Sequence, residues 1–84
     1  MKTEQEVLLE IGQRLKKIRE VAGYTSYEHF AIEHDLSRMH YWKIEKGKAN
    51  ITIRTLLNIL EIHKLSLEEF FSIKIEKFGG DNTI

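Results

Sequence analysis

The chain of 84 residues has no cysteine and no proline. Without cysteine, neither a disulfide framework nor a thiolate metal site can brace so small a domain, and a reducing, intracellular setting fits. Without proline, no ring breaks a helix-rich pattern from within, and the loops read as short. No apolar run is long enough to cross a bilayer. The amino-terminal MKTEQEVLLEIGQRL is charged throughout and offers no apolar signal region. There is no internal repeat, low-complexity stretch or interdomain linker. There is also no glycine-rich phosphate loop, nucleophile elbow or metal-ligand spacing, and a small-molecule cleft is hard to build from so few residues. These absences point to one soluble, cytoplasmic, non-enzymatic domain with no cofactor, no metal and no membrane segment.

Formal net charge is absent as well, being zero at neutral pH. The total conceals a segregation along the chain. Residues 11–19 carry Arg14, Lys16, Lys17 and Arg19 with no acid, and residues 36–54 carry Arg38, Lys43, Lys46, Lys48 and Arg54 against Glu45 alone. Between them, Glu20, Glu28, Glu33 and Asp35 face no lysine or arginine in sequence. A neutral molecule built this way can still present one positive face.

What is present is helical. Thr3 with Glu6, Thr25 with Glu28, and Ser66 with Glu69 read as capping boxes, and Ser37 and Thr52 read as N-caps. The expected helices follow these caps. The first carries Val7, Leu8, Ile11, Leu15, Ile18 and Ala22 and stops at Gly23, with Gly12 a weak position costing about 1 kcal/mol in propensity. The second contains Phe30 and Ala31 and ends in a turn at His34-Asp35-Leu36. The third runs from Arg38 to about Lys46 with Gly47 after it, and the fourth carries Ile53, Leu56, Leu57, Ile59 and Leu60. For the fifth, Leu67, Phe70, Phe71, Ile75 and Phe78 form one stripe, which predicts a helix to Phe78; a strand over Ile73 to Phe78 is the rival. The expected architecture is all-α with five helices, a single domain over 1–78 and a flexible tail over 79–84.

Two short helices joined by a tight turn, with a basic second member, can enter the major groove of DNA. The residues IGQRLKKIRE at 11–20, FAIEHDLS at 30–37, KIEKGKANITIRTLL at 43–57 and LSLEEFF at 65–71 carry a family resemblance. The chain resembles the lambda-repressor and Cro-type (xenobiotic-response-element-like) helix-turn-helix DNA-binding domains, and the Ile44, Glu45, Gly47 unit is the most specific part of the match. It departs from the pattern in an extra residue between Gly23 and Phe30. Asp35 replaces a turn glycine, Asn50 a proline, and His63 and Lys64 a leucine and a glycine.

Arg38, Met39, Trp42 and Lys43 fall on one helical stripe opposite Tyr41 and Ile44. The resemblance makes that stripe the base-reading face, where Arg38 or Lys43 can donate to guanine and Met39 or Trp42 can meet a thymine methyl. Ser26 and Tyr27 at the start of the second helix, His40, and the group Lys46, Lys48, Asn50, Thr52 and Arg54 are candidate phosphate contacts. The resemblance also implies an orienting ion pair between Arg19 and Glu45. With no second domain to sense a ligand, it implies dimerisation through the last helix, for which Ile75 and Phe78 are the candidates, their alternative being packing onto the first helix. The expected partners are double-stranded DNA and a second copy of the chain, in a transcriptional regulator of bacterial or phage-like type. A different class remains open: a protein-interaction module, such as an antitoxin or adaptor, to which the Tyr41-Trp42 pair and neutral charge are suited. The four histidines read as surface or half-buried side chains, because His29 and His34 are five apart and do not share a face as a helical metal pair does.

Overall fold

Five hydroxyl side chains start five helices. In the computed structural model, which describes residues 1–75, these are α1 (Glu4–Val21), α2 (Tyr27–Glu33), α3 (Arg38–Glu45), α4 (Ile53–His63) and α5 (Leu67–Ser72). Thr3, Ser26, Ser37, Thr52 and Ser66 each sit in extended backbone and accept the N–H three residues on, which satisfies a donor that the helix itself cannot. At Thr3 and Ser66 the glutamate three residues later returns the bond to the cap's own N–H, at 2.8 Å in both cases. The start of α2 differs from expectation: its cap is Ser26, not Thr25, and position three is His29 rather than Glu28. The reason lies upstream. The Tyr24 N–H donates to the Arg19 carbonyl at 3.1 Å, and the Tyr24 carbonyl accepts from the Arg19 guanidinium at 2.7 Å, so the chain is held one residue longer before it can coil.

The first four helices end alike. Gly23, Asp35, Gly47 and Lys64 follow them in positive-φ backbone. In each case the next N–H reaches back five residues to a helix carbonyl: Tyr24 to Arg19, Leu36 to Ala31, Lys48 to Lys43 and Leu65 to Leu60. This is the Schellman arrangement, which favours glycine because a Cβ is crowded there. Lys64 is the position where it is least well served, at φ 59 with a side chain that is 81% exposed. Lys64→Gly is therefore expected to stabilise the fold by about 0.5–1 kcal/mol. A urea unfolding midpoint that rises in the variant supports this account of the turn, and one that falls contradicts it.

The fifth helix is shorter than its apolar stripe predicts. It ends at Ser72, and Ile73 is extended at φ −67 and ψ 129. The rival strand does not form over the described part either: residues 73–75 are irregular. Basic side chains of α1 draw the backbone out. Arg14 Nε donates to the Ile73 carbonyl at 3.1 Å and Lys17 Nζ to the Lys74 carbonyl at 2.9 Å, giving those acceptors partners outside a helix. Phe78 and the tail expected over 79–84 lie outside the described residues.

Ile11, Leu15 and Ile18 of α1, Phe30 and Ala31 of α2, Tyr41 and Ile44 of α3, Leu56, Ile59 and Leu60 of α4 and Phe70 of α5 make one core. In α1, α4 and α5 the buried stripe is narrower than the apolar pattern: Val7, Ala22, Ile53, Leu57 and Phe71 are exposed. A domain of this size has too little interior to enclose them all. Gly12 sits where α1 meets the end of α3. A Cβ there would collide with the carbonyl oxygen of Glu45 and come within 2.7 Å of that of Ile44, so the two backbones approach closely only because this residue has no side chain.

Candidate nucleic-acid interface

Asp35 makes the α2–α3 turn in left-handed backbone, a conformation that aspartate adopts more readily than most residues. The turn delivers α3 with two unlike faces. Tyr41 and Ile44 are each 2% exposed and hold the helix to the core, against Phe30 among others, whose ring centroid is 5.2 Å from that of Tyr41. On the opposite side Arg38 and Lys43 are exposed, Met39 is 62% exposed and Trp42 is half-buried. His40 is exposed beside them.

The inward face also carries charge. Arg19 of α1 meets Glu45 of α3 through two parallel hydrogen bonds, Nε to Oε2 at 2.7 Å and Nη2 to Oε1 at 3.1 Å, with both side chains buried. Its Nη1 donates to the Tyr24 carbonyl. One guanidinium therefore ties together α1, α3 and the loop before α2, and the bonds to Glu45 raise its pKa against the opposing effect of burial. The Tyr41 hydroxyl is buried with no hydrogen-bond partner, and burial followed by the Glu45 carboxylate pushes it far above the ordinary phenol range.

The loop after α3 is fixed from α1. Gln5 Nε2 donates to the Gly47 carbonyl at 3.0 Å, and Leu9 lies so close that a Cβ on Gly47 would sit 2.8 Å from its Cδ2. Lys48 folds back over the Trp42 ring, its ammonium 5.2 Å from the centroid. Lys46, Asn50 and Arg54 are exposed, while Thr52 Oγ1 caps α4 and donates to Thr55 Oγ1 at 3.0 Å. The structure thus places Arg38, Met39, Trp42 and Lys43 on one face, with Lys46 and Lys48 at the end of the same helix. Ser26 and Tyr27 are half-buried, and the Ser26 hydroxyl is committed to its cap. Ile75 is half-buried and lines a groove with Glu10, Gln13 and Arg14 of α1, whereas Phe78 is outside the described residues. Two contributors carry no signal in the sequence: Gln5, whose partner is 42 residues away, and Gly12, which locally reads as a defect.

The histidines divide between surface and core. His29 pairs with Glu33 at 3.3 Å on the surface of α2. His63 stacks on Phe30 at 5.2 Å with the rings 8° from parallel, and its Nε2 is buried without a partner. Burial, then the neighbouring His34, lowers its pKa from the ordinary 6.5. A histidine depressed in the fold takes up protons more readily when unfolded. Its contribution to stability is full above pH 6.5 and is lost as pH falls through the lower folded value. Urea unfolding of the native chain is expected to show that loss, and His63→Leu to flatten it; an unchanged pH slope in the variant would assign the effect elsewhere. Among the described residues no three or more His, Asp or Glu side chains are grouped to hold a metal ion, and no helix is long and apolar enough to cross a membrane.

No family model matches the chain. The control protein C.MunI of a Mycoplasma species is 38% identical over 72 residues, covering 86% of this chain and 96% of that protein. The plasmid copy control protein CopR of Streptococcus agalactiae is 39% identical over 59 residues, covering 70% of this chain and 61% of that protein. The crystal structure of the restriction-modification controller protein C.AhdI from Aeromonas hydrophila is similar, with a TM-score of 0.69 at 27% identity, covering 79% of this chain and 98% of that one. The chain belongs to the family of lambda-repressor and Cro-type helix-turn-helix DNA-binding control proteins.

Proposed function

With that membership as premise, we propose that the protein is a sequence-specific transcriptional regulator that binds a pseudo-palindromic operator as a homodimer, with α3 in the major groove. The observation that carries this reading is the division of α3: Tyr41 and Ile44 are buried while Arg38, Met39 and Lys43 project from the opposite side with Trp42 between them. Arg38 and Lys43 are the donors suited to guanine O6 and N7, and Met39 and Trp42 the apolar groups suited to a thymine methyl. Phosphates are met by the backbone N–H groups after Ser26, by Tyr27 and His40, and by Lys46, Asn50, Thr52 and Arg54, with Lys48 close by. Two-fold symmetry sets the two α3 helices roughly 34 Å apart, one turn of DNA.

The neutral net charge makes salt dependence the informative test, because local rather than global charge must supply the attraction. Fluorescence anisotropy on genomic fragments, across a salt series, is expected to give log affinity falling linearly with log salt. Binding that is absent at low salt, or indifferent to salt, removes the reading and leaves the protein-interaction module. Sedimentation equilibrium is expected to give the mass of two chains; a monomer at all concentrations contradicts the homodimer without touching the DNA contact.

A further inference from the structure

Lys48 is one of the cations clustered at the end of α3, and its charge alone would make it a phosphate contact. Its geometry is different. As the third residue past α3, it has its N–H bonded to the Lys43 carbonyl at 2.8 Å, and Gly47 before it is locked at φ 71. Gly47 is itself held by Gln5 and Leu9 of α1. The Lys48 backbone is therefore fixed, and its side chain returns along the helix to set the ammonium over the indole of Trp42. An indole is the best aromatic partner for a cation, and the contact braces a half-buried ring. Trp42 lies on the base-facing stripe between Met39 and Lys43.

We propose that Lys48 is a positioning residue that sets sequence discrimination by holding the Trp42 ring in its reading orientation across the end of α3. This rests on the proposed function in that α3 is the reading helix. A phosphate contact and a positioning contact differ in what they change. Loss of a phosphate contact weakens every duplex about equally and lowers the salt slope by about 1. Loss of a positioning contact lowers the ratio between the right duplex and a wrong one.

Trp42 is the single tryptophan of the chain, so intrinsic fluorescence reports on it alone. The test uses the full chain with Lys48→Ala and Lys48→Arg, a duplex selected by the native protein from a randomised pool, and a shuffled duplex of the same composition. In Lys48→Ala, acrylamide quenching of Trp42 is expected to increase, and the selected-to-shuffled affinity ratio to fall about two- to fivefold, with Lys48→Arg restoring both. In a Trp42→Ala background, Lys48→Ala is expected to leave that ratio unchanged. An equal loss on both duplexes with the ratio preserved, or unaltered quenching, overturns the proposal. If the native chain enriches no duplex at all, sequence-specific binding fails instead, and the quenching comparison still decides whether Lys48 holds the ring.

Discussion

Replacing Glu45 by alanine is expected to destabilise the protein by about 3–5 kcal/mol, because it strands the Arg19 guanidinium in the core. Arg19 is 4% exposed and has only the Tyr24 carbonyl as its remaining partner, while the hydroxyl of Tyr41 beside it has none. Set against the 5–15 kcal/mol typical of a whole domain, that loss is large. Glu45→Gln is expected to cost less, since an amide oxygen still accepts from the guanidinium. Replacing both residues by methionine should cost less than the two single changes added together, because no unpaired charge is left behind. Urea unfolding followed by far-ultraviolet circular dichroism measures the native chain, Glu45→Ala, Glu45→Gln, Arg19→Met, Glu45→Met and the double methionine variant. Additive losses would mean that Arg19 and Glu45 act independently and that their paired geometry does not tie α1 to α3.

Gly12→Ala is the second change with a large expected effect, and local propensity gives it the opposite sign. In the middle of α1 alanine is favoured over glycine by about 1 kcal/mol. The structure reverses this, because the added Cβ would meet backbone oxygens of Glu45 and Ile44, which cannot swing away as a flexible side chain does. Pushing α3 outward is expected to cost about 1–3 kcal/mol net. It should also weaken DNA binding beyond what instability explains, since the helix displaced is the one that carries Arg38 and Lys43. A variant more stable than the native protein would show that the two helices can separate at that point without loss.

The starts of the helices were legible in the sequence because capping is local chemistry: a hydroxyl and the N–H that it serves are three residues apart. The one misplaced start came from two adjacent hydroxyls, Thr25 and Ser26. Glu28 favours the first by spacing, and the anchoring of Tyr24 by Arg19 selects the second. The end of α5 was not legible, because the apolar stripe through Ile75 and Phe78 continues past Ser72. What stops the helix is a pair of α1 cations 59 and 57 residues away, bonded to the carbonyls of Ile73 and Lys74. The same contacts qualify the charge pattern. Residues 11–19 read as a positive block, yet Arg14, Lys17 and Arg19 are engaged with the protein itself, and Lys16 is exposed. Around α3 the exposed cations that remain for a polyanion are Arg38, Lys43, Lys46 and Arg54, with Lys48 turned over the Trp42 ring. The two faces of α3 follow from helical periodicity. The Lys48–Trp42 contact does not, because it spans a helix end whose geometry depends on Gly47, Gln5 and Leu9.

The central claim is that α3 reads bases with Arg38 and Lys43. Its most direct measurement is the affinity of Arg38→Ala/Lys43→Ala for the selected duplex and for the shuffled one, at matched salt. Both side chains are exposed, so the variant is expected to fold as the native chain does, with an unchanged unfolding midpoint. Each bidentate base contact is worth about 1–3 kcal/mol of discrimination, so losing two is expected to lower the selected-to-shuffled ratio by at least about thirtyfold. A folded variant that keeps the native ratio would contradict the claim, and would leave sequence recognition to Met39, Trp42 or residues outside α3.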